Sequence, residues 1–291
     1  MDVLTVGEAF EDLIFGGLPR LPRAGEELRV PTFTTSAGGG AIITAVACAR
    51  LGLRVRALTA LAPGRARALR TERVAVINLI RSGEAWATTV ALSMPRDRAF
   101  VTYEGVNRSL QPRFIDALRS LTRRPRHVHF ALSPQNCAGW LPVVTRLSRA
   151  GTTTSWDFGW DDRLLRDRAF GRLQASVDWL LMNDAEAKLY GTLVRRSQTV
   201  IKRGARGASA WIDGSALDSR PARASVVDTT GAGDAFNAGF LTALLGGATV
   251  AQALRLGNYV GARSTEAMGG LDGLPSRRAL PRWARAYLEA A

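Results

Sequence analysis

A chain of 291 residues that is 46% apolar and 22% charged can bury one large core, which excludes a disordered or fibrous protein. The formal net charge is +14, and all but two of the 39 basic residues are arginines, Lys188 and Lys202 being the only lysines. The arginines are scattered, and the densest runs, 65–73 and 119–126, lack interleaved aromatics, so the charge argues against a nucleic-acid surface and leaves a field suited to a small polyanion.

Cys48 and Cys137 are the only cysteines, too few for a disulfide framework or a Cys-rich metal site, and both sit among apolar residues. The first seven residues enter a short apolar strand with no basic leader, and no apolar run is long enough to cross a bilayer. The expected compartment is the cytoplasm.

In chain order, β-rich apolar runs fall at 3–7, 54–59, 127–132, 153–157, 179–182, 200–202 and 208–212. Helical periodicity fills the gaps at 42–51, 111–121, 141–150, 162–174, 185–190 and 235–245. The alternation predicts an α/β fold, a mostly parallel central sheet flanked by helices, with ligands beyond the carboxyl ends of the strands. Segments 10–36 and 87–105 read instead as strands without helices. They are expected to pair as a small β-lid, turning at Pro95-Arg96-Asp97-Arg98, with Phe10, Phe15, Phe33, Phe100 and Tyr103 as its apolar face. No repeat or linker interrupts the chain, which reads as one domain over 1–291 with these two insertions. The lid edges offer a surface for a homodimer.

His127 and His129 alternate along a strand and point the same way. With no Cys, Asp or Glu at ligand spacing, they read as one side of the sheet and not as a metal pair.

The most informative run is Asp228-Thr-Thr-Gly-Ala-Gly-Asp-Ala-Phe-Asn-Ala-Gly-Phe240. Gly231 and Gly233 permit a tight turn and close approach of a ligand, and the helical pattern that follows holds until Gly246-Gly247. The amides of Gly231, Ala232 and Gly233 then project from a helix N-terminus, where unpaired donors and the macrodipole favour phosphate. Asp234 either caps that helix or takes the proton of a hydroxyl attacking a γ-phosphate.

This segment resembles, almost residue for residue, the C-terminal signature of the ribokinase-like (PfkB) carbohydrate kinases. The resemblance implies that Asp234 is the catalytic base and that Gly231, Ala232 and Gly233 form the anion hole. Val6-Gly7-Glu8 with Asp12 resembles the family's opening strand and substrate-contacting acid. Gly38-Gly39-Gly40 with the helix after it resembles the turn that holds the sugar, and Ser155-Trp156-Asp157 the central strand ending in Asp. Asn183 and Glu186 match an Asn-x-x-Glu element near phosphate and Mg2+, with the ion held by Glu186 through water. Lys202, Gly204 and Gly207 match the nucleotide-side strand and turn, and Asn258 the helix bordering adenine. A monovalent cation such as K+ at Asp228 and Thr230 is also implied.

Two positions depart from the family pattern. Ile43 stands where an asparagine usually bonds a substrate hydroxyl, which isoleucine cannot do. Residues 62–84 replace a Gly-x-Asp-x-x-Gly element and a longer helix. The resemblance implies an ATP-dependent, Mg2+-assisted kinase acting on a hydroxyl of a sugar or sugar-like molecule. A nucleoside kinase of the same family and an inert sugar-binding or sensing member are the competing readings, and the intact Asp234 and glycine loop speak against the inert one.

Overall fold

The computed structural model describes residues 1–94, 98–191 and 198–288. Of the turn expected at 95–98, residues 95–97 lie outside the described residues. Strands β1 (Val3–Gly7), β2 (Phe10–Gly16), β3 (Thr32–Gly38), β4 (Val55–Thr59), β5 (Val74–Asn78), β6 (Thr88–Ser93), β7 (Arg98–Tyr103), β8 (His127–Ala131), β9 (Thr153–Asp157), β10 (Trp179–Asn183), β11 (Gln198–Lys202), β12 (Ala208–Ile212) and β13 (Ser215–Ser219) form two sheets. The larger runs in the order β13-β12-β11-β10-β9-β8-β1-β4-β5. It is parallel from β11 through to β5 and ends at the other edge in the antiparallel hairpin β12–β13.

Helices α1 (Gly40–Arg50), α2 (Pro63–Ala68), α3 (Gln111–Arg119), α4 (Cys137–Arg149), α5 (Phe170–Ser176), α6 (Asp184–Tyr190), α7 (Ala232–Leu245), α8 (Val250–Ser264), α9 (Gly269–Asp272) and α10 (Arg282–Ala286) complete the described architecture. They divide the core in two. Val3 and Leu181 pack with Ile42, Val46, Phe236, Phe240 and Leu254, whereas their neighbours Leu4, Leu180 and Met182 pack with Phe114, Trp140, Trp156 and Phe170. Successive strand residues thus serve opposite faces, which is why the central strands read as continuous apolar runs.

Three sequence expectations change. The helix expected over 162–174 is a 3₁₀ turn, Asp162–Arg166, followed by α5. Asp167 separates them in an extended conformation, its carboxylate accepting from the amides of Ala169 (2.8 Å) and Cys137 (2.9 Å). Helix α7 starts at Ala232, before the apolar periodicity begins, because its first turn is Ala-Gly-Asp. The 62–84 region holds α2 and the edge strand β5.

The second sheet, ordered β3-β2-β6-β7, is the lid. Its register divides the five aromatics expected on one face. Phe100 aligns through Ala91 with Ile14, on the face that also carries Phe10, Asp12 and Arg98, whereas Phe15, Phe33 and Tyr103 lie on the opposite face. A strand alternates faces at every residue, so aromatics at even and odd positions here could not share one.

His127 and His129 are buried in the sheet and share Ser155 Oγ at 2.8 Å each. Burial pushes their pKa values down to about 3 and about 4, so both rings are neutral. Among the described residues no cluster of three or more His, Cys, Asp or Glu could hold a metal, and no helix is long and apolar enough to cross a membrane.

Candidate active site

Helices α1 and α7 lie side by side and run the same way. Thr44 Oγ1 donates to the Asp234 carbonyl at 3.3 Å, and one turn further on Cys48 Sγ meets the Ala238 carbonyl at 3.9 Å. Their N-termini are therefore level, and neither N-cap, Gly39 or Gly231, supplies a side-chain bond to the first turn. By contrast, Asn136, Asn183 and Thr249 cap α4, α6 and α8 with their side chains. Two uncapped helix starts directed to one place make a concentrated region of positive potential.

Asp234 stands between them, in the first turn of α7. A Cβ on Gly40 would lie 2.8 Å from Asp234 Oδ1, so the carboxylate rests against the glycine turn. Asp12, on the inner lid face, lies over Gly38 from the other side. The two acids, read separately from the sequence, thus both stand against the turn 38–40. Burial pushes the Asp12 carboxyl up to about 6.

Burial, reinforced by the negative charges of Asp157 and Glu186 and opposed by Lys202, pushes the Asp234 carboxyl up to about 7. Asp157 Oδ2 accepts from Lys202 Nζ at 2.6 Å and from Asn237 Nδ2 at 2.8 Å. Lys202 also donates to Asn237 Oδ1 at 3.2 Å, and its Nζ is 3.4 Å from where a Gly233 Cβ would stand. Lys202 thus lies beside the glycine loop with its ammonium engaged by Asp157 and Asn237. It is held there because the buried Asp157 carboxylate requires a counter-charge. No local pattern in the sequence links Asn237 and Asp157 in this network, although Asn237 sits three residues after Asp234, on the same helix face.

In the loop itself, Gly231 adopts φ 70°, and a Cβ there would come within 2.7 Å of Ile43 Cδ1. Ile43 is only 3% exposed and is wedged between Gly231 and Gly270. It is packing beneath the loop, which explains why an apolar residue is tolerated at this position. The Ala232 amide donates to the Thr229 carbonyl at 3.3 Å, so it is partly turned from the cleft, while the Gly231 and Gly233 amides have no acceptor among the described residues.

The corner before the loop differs from the cation site that the resemblance implies. Asp228 Oδ1 accepts from the Thr230 amide (2.9 Å) and hydroxyl (2.7 Å), and Oδ2 from the Gly269 amide (2.8 Å). Arg98 of the lid adds its guanidinium, with Nη1 donating to Asp228 and Thr230 and Nη2 to Thr229 Oγ1 at 2.6 Å. Burial favours the neutral acid, but these donors together hold the Asp228 carboxyl below the usual range. The donor set does not fit a monovalent ion, since each carboxylate oxygen is already engaged and a guanidinium fills the position.

Asn183 and Glu186 form a reciprocal cap on α6: Asn183 N donates to Glu186 Oε2 at 2.8 Å, and Glu186 N to Asn183 Oδ1 at 2.9 Å. Burial and the Asp157 charge raise the Glu186 carboxyl. Gly207 and Asn258 meet at a different place, the segment Ser219–Pro221, whereas Gly204, with φ 55°, opens the 3₁₀ turn Gly204–Arg206 and has no neighbour within 4 Å of where its Cβ would stand. Gly207 passes directly under the Ser219 carbonyl, and Asn258 Nδ2 donates to Ser219 Oγ (3.1 Å) and the Arg220 carbonyl (2.9 Å). A cavity of about 380 Å³ opens here between Arg203, Arg206 and Arg220, beside a second of about 300 Å³ lined by Arg255, Tyr259 and Trp283. The arginines, Tyr259 and Trp283 carried no sequence signal beyond general basicity. Asn258 acts on this pocket through the loop it holds.

The model of the family described as pfkB family carbohydrate kinase matches residues 2–277. An ATP-dependent ribose-1-phosphate kinase of Halopiger xanaduensis is 30% identical over 275 residues, covering 89% of this chain and 90% of that protein. A 2-dehydro-3-deoxygluconokinase of Bacillus subtilis is 27% identical, covering 96% and 94%. The structure of Arabidopsis thaliana ribokinase complexed with ribose and ATP superposes with a TM-score of 0.76 at 20% identity, covering 100% and 99% of the two chains, and shares the fold. This chain thus belongs to the pfkB family of carbohydrate kinases and is an ATP-dependent phosphotransferase with an alcohol group as acceptor.

Proposed function

We propose that a sugar-like alcohol binds between Asp12 and the 38–40 turn and that Asp234 removes the proton of its attacking hydroxyl. The Gly231 and Gly233 amides face the charge on the transferred γ-phosphoryl group. The observation that carries this reading is the placement of Asp234 in the uncapped first turn of α7, against Gly40. A carboxyl pushed up to about 7 is matched to accepting a proton near neutrality.

ATP lies with its base toward the arginine-lined cavities at Ser219–Pro221 and its phosphates toward the α7 N-terminus. Glu186 with Asn183 would hold Mg2+ through water, a mode that suits an ion that keeps its hydration shell. When bound, the ion neutralises phosphate charge. The chain acts as one domain with 10–36 and 87–105 as its lid, in the cytoplasm. The outer lid face, where Phe33 and Tyr103 are 58% and 61% exposed, suits pairing with a second copy.

A nucleoside acceptor is the second reading, favoured by Phe100, which is 53% exposed on the same lid face as Asp12. ADP formation over a panel of sugars, sugar phosphates, sugar acids and nucleosides tests both readings. Turnover of sugars alone removes the nucleoside reading, and retention of most of the rate in Asp234→Asn removes the proposed base.

A further inference from the structure

The Asp228 corner contains a cation that belongs to the chain. Arg98 reaches from β7 of the lid to three consecutive residues, Asp228, Thr229 and Thr230, which immediately precede the left-handed Gly231. The Asp228 side chain is only 4% exposed and that of Arg98 24%, so the pair is largely withdrawn from water and from salt screening. The guanidinium carbon also stands 5.7 Å from the centre of the Phe100 ring, a second contact on the same lid face. A planar donor fork suits this task. One nitrogen serves the carboxylate and the Thr230 hydroxyl while another serves the Thr229 hydroxyl, a pattern that a spherical ion lacks.

We propose that Arg98 is the built-in monovalent cation of the phosphate loop: it takes the place of an exchangeable K+ or Na+ ion and makes phosphoryl transfer independent of either. Arg98 is a positioning residue. It neutralises Asp228 and fixes the chain entering Gly231, and with it the direction of the Gly231 and Gly233 amides. An exchangeable ion in the same corner would meet like charge at close range and find both carboxylate oxygens already bonded. The proposal rests on reading residues 228–234 as the phosphate loop, but its central claim concerns ion occupancy and can be read without turnover.

The test compares the full chain in tetramethylammonium buffer with the same buffer containing K+ or Na+ at matched ionic strength. Thermal unfolding of the wild type should be unchanged by K+, whereas Arg98→Ala, with Asp228 left uncompensated, should gain thermal stability from K+ or from dilute guanidinium. With an active acceptor, the wild-type rate should change by less than about twofold on adding K+. Arg98→Ala should lose about tenfold or more in kcat and recover part of it with K+ or guanidinium, and Arg98→Lys should fall between the two. If Arg98→Ala does not fold, Arg98→Gln keeps the size without the charge and takes its place. A wild type whose unfolding temperature or rate rises severalfold or by several degrees with K+ overturns the proposal, as does an Arg98→Ala protein that keeps full rate without any ion. Failure of every acceptor would count against the kinase reading alone, because the unfolding arm needs no acceptor.

Discussion

Asp234 and Gly40 touch: the carboxylate of the first lies where the second would carry a Cβ, with 2.8 Å between that position and Asp234 Oδ1. The two residues are far apart in sequence but adjacent because α1 and α7 pack in parallel with level N-termini. Gly40→Ala should therefore push the carboxylate out of line with little change in the helix, since alanine is the better helix former. The expected result is a loss of about tenfold to a hundredfold in kcat at nearly unchanged thermal stability. Steady-state kinetics beside a melting curve check this, and an unchanged kcat would show that the contact does not position the base.

The raised carboxyl of Asp234 has a consequence for stability. Its folded pKa of about 7 exceeds the ordinary 3.8, so the folded protein binds the proton more tightly than the unfolded chain. Its contribution to stability is full below pH 3.8 and is lost as pH rises to about 7, where the buried charge must be tolerated. Asp234→Asn, which removes that charge, should abolish transfer yet be more stable than the wild type by on the order of 1 kcal/mol at pH 8, the figure discounted for partial exposure to the cleft. The difference should shrink toward pH 4. Denaturant unfolding of both proteins at the two pH values measures it, and equal stability at pH 8 would remove the strained-carboxylate account.

Much of this site is legible in the sequence because its chemistry sits in contiguous runs. The proposed phosphate loop and its acid occupy Asp228 to Phe240, and the parallel strands advertise themselves as short apolar runs buried on both faces. What escapes is whatever depends on pairing across the chain. Arg98 and Asp228 are 130 residues apart, and Lys202 and Asp157 are 45 apart, so neither ion pair leaves a local pattern. The sequence points the lid aromatics to one face because composition is visible in it and register is not. Strand β13, Ser215–Ser219, is a partly polar edge strand and offers too little apolar alternation to be read.

Asn258 supports the proposed nucleotide pocket at one remove, through its bonds to Ser219 and Arg220. Asn258→Ala should release that segment and raise the KM for ATP by about tenfold, while the KM for the acceptor stays within about twofold, because the bonds of Asn258 go to Ser219 and Arg220 and not to the proposed acceptor turn at 38–40. Separate saturation curves for the two substrates distinguish this from general unfolding, which would affect both.

The electrostatic setting of Asp234 can be altered without touching the acid itself. Burial raises its pKa first, and of the neighbouring charges Asp157 contributes the larger upward push, with Glu186 adding a smaller one. A base must be unprotonated to act, so kcat/KM should climb with pH through the carboxyl's pKa. Asp157→Asn removes the larger negative charge and leaves Lys202 to favour the ionised form, so the rising limb should move to lower pH by about one unit. Glu186→Gln should move it the same way by less. Asp12, also raised, to about 6, titrates on the same side, and so the comparison belongs at saturating acceptor, where kcat reports the bound complex. Both variants lose activity for structural reasons as well, but a structural loss lowers the plateau and leaves the midpoint in place. A midpoint that stays fixed in both variants would mean that the group titrating near neutrality is not Asp234.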